Sequence, residues 1–394
     1  MPNNPVNPAA PVNFISTDDQ KAPEDGVALC LSGGGYRAML FHIGTLLRLN
    51  EARALKKLKR VSSVSGGSIT AGVLGMRWKE LIWDDTGVAT NLKEKVVDPI
   101  RALAGKTIDA ESIIIGILTP GTISDKIRAA YDEFLFNGAT LQALPSDQEG
   151  PRFVINATNV QSGALWRFSR PFMADYLVGL VPNPTVRLSL AVAASSAFPP
   201  VLSPATLKLK HSDFTPDPKC PLQREPFTTE VVLSDGGVYD NLGLETAWKR
   251  IRTVLVSDGG GKLSPEAEPK HDWARHAYRV INLVDNQVRS LRKRQLIEAY
   301  KNKEDQHDGA YWGIWTDIRN YPIQNALPCP LERTTELAET PTRLKRMEPD
   351  RQERLINWGY AVCDAALRAH CVDALAQYGI DVNQTPKFPF KVAV

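Results

Sequence analysis

Gly26–Gly67 reads GVALCLSGGGYRAMLFHIGTLLRLNEARALKKLKRVSSVSGG and states one local plan twice. GVALCLS is a short apolar run that stops at three glycines, as a strand buried on both faces does. Behind it, Leu40, Ile43 and Leu47 recur at helical spacing. KKLKRVSSVS is a second strand candidate ending at Ser65, and GSITAGVLGMRWKEL reads as a second helix. Strand, glycine turn and helix, repeated, specify an α/β fold: a mostly parallel central sheet flanked by helices.

Further along, residues 83–148 turn helical and irregular, without a repeat period, and are expected to form an insertion that covers the sheet and its site. FVINATNVQSGALWRFS reads as two strands joined at Gln161–Gly163. SLAVAASSAFPPVLSP is a helix of small residues stopped by Pro199 and Pro200. TTEVVLSDGG and IRTVLVSDGGG are two more strands, and RVINLVDN follows them as another. RQERLINWGYAVCDAALRAHCVDAL is a helix. Residues 1–25 read as a flexible, proline-broken arm, and residues 26–394 as one catalytic domain.

Composition narrows the function classes. In 394 residues there are 27 glycines and 28 prolines, an ordinary share that excludes a collagen-like or low-complexity chain. With 47 basic and 44 acidic side chains, the net charge of +3 gives no argument for nucleic acid. Five cysteines, Cys30, Cys220, Cys329, Cys363 and Cys371, are scattered without a CxxC pair and read as reduced thiols of a cytoplasmic protein. The first 20 residues lack the basic and apolar regions of a secretory signal. No apolar run approaches the roughly 20 residues that cross a bilayer.

Adjacent glycines occur at four places: Gly33–Gly35, Gly66–Gly67, Gly236–Gly237 and Gly259–Gly261. Each follows a strand candidate, where α/β proteins place ligand sites. SGGGYR at Ser32–Arg37 admits two readings, a phosphate-binding turn or a loop of free N–H groups that forms an anion hole. Neither GxGxxG with a distant acid nor GxxxxGK[ST] is present. Ser65, between strand and helix in Ser63-Val64-Ser65-Gly66-Gly67, has the context of a nucleophile elbow, with Ser63 at the position of the first glycine.

Such a serine needs a base. A histidine triad of Ser65, Asp235 and His271 or His276 conflicts with chain order, since only one strand and one helix precede the nucleophile's strand. His42 sits on an apolar helix and reads as structural. A buried carboxylate can accept the serine proton directly. Asp235 in VVLSDGG and Asp258 in VLVSDGG compete for that role, and local sequence does not choose between them.

Taken together, these segments resemble the patatin-like phospholipases. SGGGYR is similar to that family's oxyanion loop with its arginine, SVSGG to its elbow, and Asp235-Gly236-Gly237 with DNLG to its aspartate motif. ASSAFPP at Ala194–Pro200 and NATNVQSG at Asn156–Gly163 also resemble family segments, in order. The resemblance implies a three-layer α/β/α fold, Ser65 as nucleophile and Asp235 as general base. It assigns the oxyanion hole to the N–H groups of Gly33, Gly34, Gly35 and Gly66. Arg37 either meets a lipid phosphate as a substrate-binding residue or braces the loop by bonding carbonyls. Ping-pong hydrolysis of a phospholipid or other lipid ester is implied, with no cofactor or metal. The alternatives are a non-catalytic lipid- or nucleotide-binding module and the histidine-triad esterase.

Such a substrate requires transient peripheral membrane contact, and a partner or small ligand that releases latent activity is compatible with the family. Arg289, Arg292, Lys293 and Arg294 form either a membrane-facing basic helix or an ordinary solvated face. IIIGIL at Ile113–Leu118 is either a lid or a buried helix core.

Overall fold

In the computed structural model, residues 22–108, 122–200, 202–302 and 307–394 are described. The arm before residue 22 and the Ile113–Leu118 segment therefore lie outside the described residues. Strands β1 (Glu24–Leu31), β2 (Leu58–Ser63) and β3 (Arg152–Asn159) form the centre of one sheet, continued by β4 (Ala164–Phe168), β5 (Phe172–Asp175) and β6 (Gly179–Pro182). The last strands are β7 (Ala205–Lys208), β8 (Glu230–Asp235), β9 (Ile251–Asp258) and β10 (Asp308–Gly313). The sheet runs β10-β9-β1-β2-β3-β4-β5-β6, parallel from β10 to β3 and antiparallel beyond.

Successive residues of β1 face opposite layers, which is why its whole run is apolar. Val27, Leu29 and Leu31 enter the larger core, while Ala28 and Cys30 join a smaller one with Val254, Val256 and Leu296. Helices α1 (Gly35–Glu51), α2 (Gly66–Arg77), α3 (Asp98–Ala104), α4 (Ile123–Tyr131), α5 (Leu188–Ser195), α6 (Trp273–Lys301) and α7 (Pro349–His370) flank the sheet. The α/β class with central parallel strands is the one expected. Buried Arg48 of α1 bonds Asp364 of α7 at 2.8 Å, fixing the two helices against each other. Among the described helices none is long and apolar enough to cross a membrane.

One expectation changes. RVINLVDN (residues 279–286) is not a strand but the middle of the 29-residue helix α6, capped by the Asp272 side chain on the Arg275 N–H. Its β-branched residues favour strand only weakly, and the helix-forming run behind them, together with the cap, prevails.

Strand β8 is antiparallel to β3. β2 pairs with β3 only as far as Ile155, and β8 then occupies the same edge of β3 from Ala157 to Asn159. The carboxyl ends of β2 and β8 therefore meet head to head beside β3.

Candidate active site

That meeting point puts Ser65 and Asp235 together. Ser65 follows β2 and immediately precedes α2, and it is held at φ 50° and ψ −118°, a conformation L-residues rarely adopt. Several groups enforce it. The Ser65 N–H donates to Ser195 Oγ at 2.9 Å, and Ser195 Oγ in turn donates to the Asn156 carbonyl at 2.6 Å. Asn156 Nδ2 donates to the Ser63 carbonyl at 2.9 Å. Ser63 fits where the elbow pattern has glycine because its Oγ is buried, accepting from Ser68 Oγ at 3.0 Å. Ser195 and Asn156 were visible in the sequence only as family-like segments. Their bracing role depends on α5 and β3 packing against the elbow.

The glycine loop lies against that elbow. Gly34 at φ 141° and Gly35 at φ 59° adopt backbone conformations costly for other residues. A Cβ on Gly66 would collide with the Gly35 carbonyl oxygen. Helices α1 and α2 begin at Gly35 and Gly66, so two positive helix ends converge beside Ser65. Gly33 departs from its expected part, because its N–H donates to the Asn241 carbonyl at 3.1 Å and is no longer available to an oxyanion. Among the described residues, no hydrogen bond engages the N–H groups of Gly34, Gly35 or Gly66.

Asp235 is buried and shares the cleft with Ser65, whose side chain favours the aspartate anion. Asp235 Oδ1 accepts the Gly237 N–H at 2.6 Å. Burial pushes its pKa up to about 7, against Gly237 and Ser65, which favour the anion, with the Asp285 charge adding to the rise. Asp258, with the same neighbours in sequence, ends β9 on the far side of β1. It accepts the Tyr311 hydroxyl at 2.8 Å and the Gly260 N–H at 2.9 Å. Burial opposes its ionisation, but Arg289, Tyr311 and Gly260 outweigh burial and hold its carboxyl below the ordinary value.

Arg37 is 3% exposed and braces the loop. Its Nε donates to the Gly259 carbonyl at 3.1 Å, and its Nη1 donates to the Thr340 carbonyl. Both bonds fit the bracing alternative, while its buried Nη2 has no hydrogen-bond partner among the described residues. Burial, then the charge of Arg289, lowers its pKa to about 10.

His42 is structural as expected, with its ring between Ser257 Oγ at 2.9 Å and the Ser32 carbonyl at 3.0 Å. Burial lowers its pKa to about 4. No histidine is among the described residues lining the cleft, which leaves the triad alternative without its base.

Above Ser65 and Asp235 opens a cleft of about 340 Å³. One wall is α6, which presents Tyr278, Asn282, Asp285 and Arg289, and Phe198 and Arg343 lie on other sides. Described residues of 83–148 pack on α2 and α5 and do not line this cleft. The basic run at 289–294 is largely engaged: Arg289 bonds the Gly261 carbonyl, Arg292 meets Glu245 at 3.1 Å, and Lys293 sits over the Tyr311 ring.

A family model described as "Patatin-like phospholipase" matches residues 29–248. No curated protein matches the chain in sequence. Among solved structures, human GIVD cytosolic phospholipase A2 aligns with a TM-score of 0.51 at 14% identity, covering 94% of this chain and 63% of that one. The human enzyme in complex with methyl gamma-linolenyl fluorophosphonate and terbium chloride aligns with a TM-score of 0.50 at 14% identity, over 90% of this chain and 59% of that one. The chain thus spans less than two thirds of these neighbours' length, and at this identity the likeness is one of fold.

Proposed function

The chain belongs to the patatin-like phospholipase family, and on that premise we propose that it is a lipid acyl hydrolase working through Ser65 and Asp235. The observation that carries this reading is the meeting of the β2 and β8 carboxyl ends, which sets Ser65 beside a buried carboxylate whose pKa burial raises to about 7. Such a carboxylate is basic enough to take a proton near neutrality and still substantially ionised there.

Ser65 Oγ attacks the ester carbonyl as Asp235 takes its proton. The N–H groups of Gly34, Gly35 and Gly66 receive the developing oxyanion, helped by the α1 and α2 dipoles. Asp235 returns the proton to the departing alcohol or lysophospholipid. It then activates water to release the fatty acid from Ser65.

We read residues 26–394 as one catalytic domain, because β9, β10 and α7 lie beyond the family match yet complete its sheet and core. None of the five cysteines is paired, which supports a reducing, cytoplasmic setting. Transient contact with a lipid surface is supported by α6. It turns Tyr278, Asn282, Asp285 and Arg289 to the cleft, at helical positions i, i+4, i+7 and i+11. Trp273, Val280, Val284 and Leu291, at i, i+7, i+11 and i+18, are exposed on the opposite side.

Hydrolysis of a phospholipid panel by wild type and Ser65→Ala, with the released fatty acids identified, tests the assignment and the substrate class together. Undiminished turnover in the variant would overturn it.

A further inference from the structure

At the amino ends of the parallel strands, opposite the cleft, strand register gathers positive charge. Arg60 on β2 lies beside Arg152 on β3, and Arg167 on β4 lies beside Asn156 of β3. Alternate residues of a strand share a face, so Arg152, Val154 and Asn156 point one way and the three arginines occupy one sheet face. With Lys249 and Arg250 they wall a cavity of about 380 Å³, a volume in the range of small-molecule sites. Five lining cations face two carboxylates, Glu24 and Glu245, an excess as large as the net charge of the whole chain.

Some of this charge is compensated. Arg152 forks onto Asp147, with Nε to Oδ1 at 3.0 Å, and Lys249 meets Glu245 at 2.8 Å. Arg60 is different. Its Nε is shut away from solvent with no hydrogen-bond partner among the described residues. Burial lowers its pKa to about 10, and the charges of Arg152 and Arg250 push the same way. Like charges on neighbouring strands repel, and a half-buried guanidinium whose Nε lacks a partner is better satisfied when an anion meets it, beyond what nearby Asp147 and Glu24 supply.

We propose that this cavity binds a phosphate-bearing anion, with Arg60 as the central ligand and Arg250 beside it. A guanidinium fork matches two phosphate oxygens at once, and several cations around one cavity suit a phosphate better than a single carboxylate. Phe172, Tyr176 and Tyr239 complete the walls and leave apolar room for the organic part of the ligand. The site shares no lining residue with the cleft and lies roughly 15 Å from Ser65 along β2, so it is separate from the hydrolytic centre.

Calorimetric titration of the full-length protein with pyrophosphate and with glycerol 3-phosphate is the test, alongside flotation with vesicles containing phosphatidic acid. Wild type and Ser65→Ala should bind alike, and Arg60→Met and Arg250→Gln should each weaken binding at least about tenfold. A response to the soluble probes assigns a free phosphorylated ligand. A response confined to vesicles, and lost in Arg60→Met, assigns a lipid headgroup. Equal binding by wild type and both arginine variants overturns the site, as does no binding of any probe at millimolar concentration. Arg60→Met removes a repelled charge and should melt no lower than wild type without ligand; Arg250→Gln, on an exposed side chain, is the independent variant if it does not.

Discussion

The pKa of Asp235 links activity and stability through one number, and pH is the perturbation that reads both. With a folded-state value of about 7, the ionised, proton-accepting fraction is about one eleventh at pH 6 and ten elevenths at pH 8. The acid limb of kcat/KM on a soluble ester should therefore rise about tenfold between pH 6 and pH 8. The same shift fixes the sign of a stability effect. The folded pKa lies above the unfolded value of 3.8, so the favourable contribution is complete below that value and is lost as pH rises through about 7. The rise from 3.8 to about 7 corresponds to about 4 kcal/mol against the charged form. Asp235→Asn, which cannot ionise, should abolish turnover. It should also unfold at higher urea than wild type at pH 8, with that advantage shrinking to nothing near pH 4. The assays are a pH–rate profile and urea melts at four pH values. An acid limb near pH 4, with no pH-dependent difference in the melts, would refute the buried-base argument. A limb near 7 that disappears in His271→Ala or His276→Ala would restore the triad.

Other outcomes follow from the same contacts. Ser195→Ala removes the acceptor of the Ser65 N–H and should lower kcat more than it raises KM, with a loss of about 1–3 kcal/mol in a urea melt. Gly66→Ala drives a Cβ into the Gly35 carbonyl and disturbs an oxyanion donor, so kcat should fall by about 10²–10³. Val284→Asp on the outer face of α6, 54% exposed in wild type, should impair hydrolysis of vesicle lipid severalfold while leaving a short-chain soluble ester unaffected. Asp364→Ala strands the buried Arg48 charge and should cost about 3–5 kcal/mol of stability by urea titration.

Much of the site was legible in the chain because its requirements are local. The Gly34 and Gly35 conformations and the close approach at Gly66 each demand glycine at one position, so the loop and elbow announce themselves in SGGG and SVSGG. Less could be read where long-range hydrogen bonds reassign a group. The Gly33 N–H is taken by Asn241, more than 200 residues away, and Arg37 is taken by the carbonyls of Gly259 and Thr340. The strand reading of RVINLVDN failed for a related reason: composition over eight residues is a weaker constraint than a capped helix continuing on both sides of them.

Asp235 and Asp258 mark the limit most clearly. Each ends an apolar strand in the same four letters, SDGG. By itself the sequence determined that two such strand ends exist, with a serine at a strand–helix turn and a glycine-rich loop. Which aspartate reaches the serine was decided by the sheet. β9 runs parallel to β1 and delivers Asp258 to Tyr311, near the charge of Arg289. β8 enters antiparallel along β3, end-on to β2, and delivers Asp235 to Ser65 in a buried setting that keeps it basic. Strand direction is set by pairing between distant segments, and burial by what packs over them, so neither is written in the four residues themselves.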